Sequence, residues 1–190
     1  IFSLDEMIKI WDPSRISKSP AIFDPLKLRA INAAYIRALP AEEFRKLADP
    51  FIDQAVHVQI DRDLLCANLQ PRCEVLEDIP PQLDFFDAVL PIDAEMYRNK
   101  KQKTTPESAK EALSALLPVL EAQTDWSRDA IFEACKQKAE AMEKKNGWLL
   151  FPLGIALSGK ARTPGGGTDL AAMMGKEETL RRLNAAIEAL

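Results

Sequence analysis

What most constrains this chain is how often it starts a helix and how rarely it offers a strand. Its thirteen prolines outnumber its seven glycines, and several prolines stand at helix starts. Proline presets a helical φ and lacks an N–H that a first turn would leave unbonded anyway. Asp24-Pro25 and Thr105-Pro106 each place a capping side chain before such a proline. Ser3 and Glu6 form a capping box ahead of Met7, Ile8 and Trp11. Pro40 is expected to open a helix with Glu42 and Glu43 in its first turn. Asp61, Pro71 and Ser127 look like further starts. The Ser127 helix is expected to run to about Lys145 and stop at Asn146-Gly147. Apolar residues keep helical spacing at Leu28, Ile31, Tyr35 and Ala38, at Leu113, Leu116, Leu117 and Leu120, and at Leu180, Leu183, Ile187 and Leu190. No alternating pattern persists. The expectation is an all-α chain, or nearly so, of short helices broken and restarted at Pro and Gly.

Charge and rare residues exclude several functions. The chain has 190 residues, enough for a real core, and a net charge of −4. A generic nucleic-acid binder would be strongly basic. The acidity is uneven, however. Residues 1–97 carry 10 basic and 17 acidic side chains, whereas residues 126–190 carry 10 and 8. Arg98, Lys100, Lys101 and Lys103 form the densest basic run, read as an exposed connector. Cys66, Cys73 and Cys135 are odd in number and wrongly spaced for a secreted disulfide framework or a zinc knuckle, so reduced thiols are expected. The single histidine, His57, has no nucleophile or carboxylate motif around it and reads as structural. No apolar run approaches the ~18 residues of a membrane span. The first residue, Ile1, is not Met, which reads as trimming or excision from a longer chain.

Short motifs for catalysis fail on context. Ile16-Ser17-Lys18-Ser19 looks like the lysine loop of class I aminoacyl-tRNA synthetases, but no nucleotide fold precedes it. Gly165-Gly166-Gly167 lacks the Gly-Lys-Ser/Thr that a phosphate-binding loop needs, and reads as a turn. Asp84 with Asp87, and Asp61 with Asp63, read as caps or solvated faces rather than an acid–base couple. No catalytic residues and no metal ligands are assigned within this chain.

A longer pattern is more informative. Phe2-Ser-Leu-Asp-Glu-Met7 is followed by Ser17-Lys-Ser-Pro-Ala-Ile-Phe23-Asp24, then Lys27-Leu28, Asn32 and Tyr35. Pro71-Arg72-Cys-Glu-Val-Leu-Glu-Asp, Trp126 and Pro152-Leu-Gly-Ile-Ala-Leu-Ser-Gly159 follow in register, and Leu170 to Leu183 closes the series. This resembles the region beyond the catalytic half of bacterial glutamyl-tRNA synthetases, over essentially the whole chain. The resemblance implies an anticodon-binding helical bundle in two subdomains, preceded by the tail of a stem-contact fold. Residues 1–39 would end the stem-contact region, 40–90 would form the first anticodon-binding subdomain and 91–190 the second. It implies a piece of a cytoplasmic glutamate–tRNA ligase whose N-terminal catalytic domain is absent. That missing half would supply ATP and Mg chemistry, with no cofactor in this part. The partner would be tRNA-Glu, gripped at the inner stem and anticodon loop.

Site residues follow from the same resemblance. Arg72 falls where the family's arginine reads the third anticodon base, a cytosine. Thr163 and Pro164 match a turn that meets the first two bases. Lys160 and Arg162 would contact the RNA backbone. Gly154 stands where the family usually has a base-contacting arginine, and Gly166 and Gly167 replace bulkier residues, so contact with the first two bases would be looser or would be made up by the neighbouring basic residues. On the residues alone, Arg72 could instead pair with Glu74 or Glu77. The alternative of another class is an all-α protein-interaction module without RNA binding, favoured by net acidity and many amphipathic helices.

Overall fold

The computed structural model describes residues 2–16 and 22–190. Among the described residues there are α-helices and single 3-10 turns but no strand, only one antiparallel bridge between Asn99 and Thr104. The helices are α1 (Leu4–Ile10), α2 (Pro25–Ala38), α3 (Ala41–Ile52), α4 (Arg62–Leu69), α5 (Pro106–Ala122), α6 (Arg128–Ala141), α7 (Asn146–Ser158), α8 (Gly167–Met174) and α9 (Lys176–Ala189). The expected caps are formed. Asp24 accepts from the amides of Leu26 and Lys27, Asp61 from Leu64 and Ser127 from Ala130. Ser3 with Glu6 closes a capping box, as does Thr105 with Ser108.

Three expectations about breaks are corrected. Pro50 and Pro152 lie inside helices rather than between them, as does Pro118, within the run Leu113 to Leu120 that its spacing marks as helical. An interior proline costs ~3 kcal/mol of helix propensity. Around Pro118 that cost is met by burial, since Leu113, Leu116 and Leu120 on the same helix are fully enclosed. Asn146-Gly147 does not stop a helix but opens α7, because α6 already ends at Ala141 and Glu143 turns the chain with a left-handed φ of 54°. Pro71 starts no new helix; it sits in the 3-10 turn Gln70–Arg72 that continues α4. The stretch from Leu170 to Leu183 spans two helices, parted at Gly175, whose φ of 82° any side chain would resist. The Ile16–Ser19 motif lies almost wholly outside the described residues.

The core is continuous. Phe44, Ile52, Leu65 and Leu69 from α3 and α4 share one buried cluster with Leu113, Ile131, Leu149, Leu153, Leu170 and Leu183. Helix α7 is its axis, packing against α5, α6, α8 and α9. That is why its sequence is apolar on every side. One charged side chain is sealed inside. Arg182 is 1% exposed, donates to the carbonyls of Phe85, Phe86 and Leu157, and pairs with Glu178. It ties the C-terminal helix to the irregular segment before residue 90. By contrast α1 buries nothing, and α2 buries only Ala33 and Ile36. Phe2, Leu4, Ile8, Trp11, Phe23 and Leu26 are all exposed.

Candidate nucleic-acid interface

The irregular chain after α4 and the loop after α7 meet across a cavity of about 650 Å³. Arg72 reaches it from the 3-10 turn Gln70–Arg72, and Gln82 from the turn Pro80–Gln82. The facing wall is Leu150, Phe151, Gly154 and Ile155 of α7, and the rim is the loop from Lys160 to Gly167. Residues far apart in sequence are thus brought together. The Arg72 Nη1 lies 3.5 Å from the Thr163 carbonyl oxygen, across 91 positions of chain. Arg72, Lys160, Arg162 and Thr163 all line the cavity; Pro164 is buried beneath the loop and is not on the wall.

The local chemistry of each residue decides what it can offer. Glu74, a possible partner for Arg72, is held by Arg29 instead, with Nε to Oε2 at 2.9 Å. Among the described residues Arg72 is in no ion pair, and its exposed guanidinium keeps a planar fork of donors. Thr163 spends its hydroxyl proton on the Gly165 carbonyl at 2.6 Å, which shapes the turn and leaves the oxygen as an acceptor. Lys160 is engaged, donating to the Pro81 carbonyl at 2.7 Å and pairing with Asp84. It therefore braces the two walls against each other. Arg162 is exposed and, among the described residues, unpaired.

The glycines have separate physical reasons. A Cβ on Gly167 would sit 2.8 Å from the Leu150 carbonyl oxygen and 2.9 Å from the Gly154 nitrogen, so α8 can lie this close to α7 only with hydrogen there. Gly154 is different, since its nearest neighbour to an added Cβ is at 3.7 Å. A side chain could therefore start at this position without a clash. At Gly166 the amide donates to Asp169, whose other oxygen takes Arg128 Nε at 3.0 Å. The glycine run is thus a helix entrance on the cavity rim.

Sequence reading missed Phe151 and Gln82. Phe151 sits in an apolar run that reads as core, yet it is only partly buried and lines the cavity. Gln82 donates to the Asp78 carbonyl at 2.7 Å. The remaining polar candidates have structural roles. Asp87 accepts from the His57 and Val58 amides and lies 2.5 Å from His57 Nδ1. Those bonds, led by the His57 ring, hold the Asp87 carboxyl below its usual range. Asp61 caps α4 and Asp63 pairs with Arg45. All three thiols are free and buried, and burial pushes Cys66 and Cys73 up to about 11 and Cys135 to about 12. They are inert at neutral pH. Among the described residues no group of three or more His, Cys, Asp or Glu is placed to hold a metal, and no helix is long and apolar enough to cross a membrane.

Comparison with known proteins adds to this geometry. The profile of the family described as "Anticodon binding domain" matches residues 32–187. A glutamate–tRNA ligase of Clostridium botulinum strain Hall is 42% identical over 190 residues, all of this chain and 39% of that protein. The Clostridium acetobutylicum glutamate–tRNA ligase is 41% identical over 191 residues, again 39% of its length. Among solved structures, a glutamate tRNA ligase from Elizabethkingia meningosepticum in complex with its amino acid superposes with a TM-score of 0.84 at 28% identity. It covers 100% of this chain and 37% of that one. The glutamate–tRNA synthetase of Elizabethkingia anophelis gives a TM-score of 0.77 at 27% identity. The chain spans about two fifths of the length of the curated relatives.

Proposed function

The chain belongs to the anticodon binding domain family, and on that premise we propose that it reads the anticodon of tRNA-Glu for a glutamate–tRNA ligase. The observation that carries the reading is the meeting of Arg72 with the 160–167 loop around one cavity large enough for splayed bases. Anticodon bases are unpaired, so their Watson–Crick edges are open to a shaped pocket. Such reading needs local donors and acceptors rather than a large positive field, which reconciles it with a net charge of −4.

Arg72 reads the third base. Its guanidinium donates two parallel bonds to the adjacent oxygen and ring-nitrogen acceptors of cytosine. Guanine, which ends a glutamine anticodon, presents a ring N–H and an amino group there, so donors face donors. Such a mismatch costs ~1–3 kcal/mol. Thr163 accepts from a base on the opposite side, and Phe151 supplies a stacking face. Pro164 acts from beneath by fixing the turn, Lys160 by bracing the walls, and Arg162 meets phosphate. Adenylation of glutamate, with ATP and Mg, belongs in this reading to a catalytic part of the ligase N-terminal to this chain, in the cytoplasm.

The test compares anticodon stem-loops ending in cytosine or guanine at the third anticodon base. The chain should prefer cytosine by roughly 5- to 150-fold, the range that ~1–3 kcal/mol represents. Arg72→Gly should abolish the preference while leaving the fold intact. Unchanged discrimination would remove Arg72 from the role.

A further inference from the structure

The basic run at residues 98–103 has no place in the base-reading cavity, yet the fold gives it a defined setting. Asn99 and Thr104 bond to each other across a tight turn, and the Asn99 Oδ1 accepts from the amides of Lys101 and Gln102 at 3.0 and 3.1 Å. This turn docks on the start of α7. The Gln102 carboxamide lies against the bare Gly147, in the space where a Cβ of residue 147 would lie, 1.9 Å from Oε1. A second pocket of about 340 Å³ results, walled by Lys101 and Lys103 on one side and Lys144 and Lys145 on the other. Trp148 forms its floor, with the Lys144 Nζ 5.1 Å from the ring centroid.

Four lysines face one acid, Glu143, in this pocket. All four are exposed, and among the described residues none is in an ion pair. Lys144 and Lys145 have an alternative reason to be here, because they follow the C-terminus of α6 and complement its dipole. Lys101 and Lys103 have none; they come from a separate turn and add repulsion. Among the described residues, Lys103 and Glu143 are also the non-glycine residues that hold a positive φ, at 57° and 54°. Such backbone persists only where its surroundings over-determine it. Both line this one pocket.

Position relative to the base cavity supplies the occupant. Trp148, Phe151 and Ile155 follow the i, i+3, i+7 spacing and so share a face of α7. The rise of ~1.5 Å per residue puts Phe151 ~4.5 Å and Ile155 ~10 Å along the helix from Trp148. The lysine pocket therefore adjoins the base cavity along one helix face. An RNA strand whose bases enter that cavity carries a charge at every nucleotide. We propose that Lys101, Lys103, Lys144 and Lys145 form a phosphate site that holds the sugar-phosphate backbone of the same RNA. This rests on the base-reading function and adds a contact that supplies affinity without sequence information.

The experiment measures binding of the tRNA-Glu anticodon stem-loop to the 190-residue chain across a series of salt concentrations. The variants are Lys101→Gln with Lys103→Gln, and Lys144→Gln with Lys145→Gln. A control, Lys46→Gln with Lys110→Gln, makes the same charge change on α3 and α5. Each phosphate contact contributes roughly 0.7–0.9 to the slope of log K against log salt. Each lysine pair should therefore flatten the slope by about 1–2 and weaken binding about tenfold at low salt. The cytosine-over-guanine preference should stay as it is, and the control should bind like the unsubstituted chain. Lysine variants that match the control in affinity and slope overturn the phosphate site and leave base reading standing. A loss of affinity without a change of slope also overturns it. Failure of the unsubstituted chain to bind the stem-loop overturns both.

Discussion

At the scale of single residues, the site is defined as much by a missing side chain as by those present. Gly154 lies in the middle of α7 and lines the cavity, where a Cβ would make only ordinary contact with Gly167. An interior helical glycine costs ~1 kcal/mol against alanine. A Gly154→Arg substitution should therefore stabilise α7 by about 0.5 kcal/mol. It should also tighten anticodon stem-loop binding about threefold to tenfold by adding a donor to the wall. Equilibrium titration and a denaturant series check the two effects separately; unchanged affinity would mean that Arg72 and Arg162 already saturate the RNA's acceptors there. Arg72 was legible as a candidate because of its motif. That it faces the Thr163 carbonyl was not, because the two lie 91 positions apart and the chain between them had to fold first.

At the scale of elements, the crossing of α7 and α8 sets the width of the cavity. The two helices touch at Gly154 and Gly167, and the contact at Gly167 is backbone to backbone. Gly167→Ala forces a methyl to within 2.8 Å of a carbonyl oxygen that cannot swing away. We expect a loss of about 1–3 kcal/mol, seen as a lower denaturation midpoint with an unchanged slope. The displaced α8 should also weaken stem-loop binding. Helix starts were readable from the sequence because a cap is a local event, decided by one side chain and the next few amides. Helix ends and interior prolines were misjudged for the converse reason. Pro152 is held in a helix by burial against other elements, and the turn-forming pair Asn146-Gly147 starts a helix because α6 has already ended at Ala141.

At the scale of the whole molecule, one buried group joins the halves. Arg182 links α9 to the carbonyls of Phe85 and Phe86, and its partner Glu178 is held down to about 2 by Arg181 first and Arg182 next. A carboxylate depressed in the folded state contributes stability above its unfolded value of 4.5, and that stability is lost as pH falls from there toward 2. Glu178 is 32% exposed, so solvent screening reduces the effect to about 2 kcal/mol. Glu178→Gln should cost that much at pH 7 and almost nothing near pH 2, read from unfolding free energies at both. A constant difference would show that the pair is not coupled to folding. At the N-terminal end the exposed apolar side chains of α1 and α2 are positions that periodicity marks as apolar but that no described element covers. Helical class, caps and reduced thiols were determined by the sequence itself, as was the choice of Arg72 and residues 160–164 as candidates, since each rests on local stereochemistry or a linear motif. Three matters were decided only by tertiary structure. Lys160 was drawn away to Asp84, Phe151 came to line the cavity while packing on the core, and a connector's lysines met those after α6. Each depends on which distant surfaces come to share a boundary, and no local propensity specifies that.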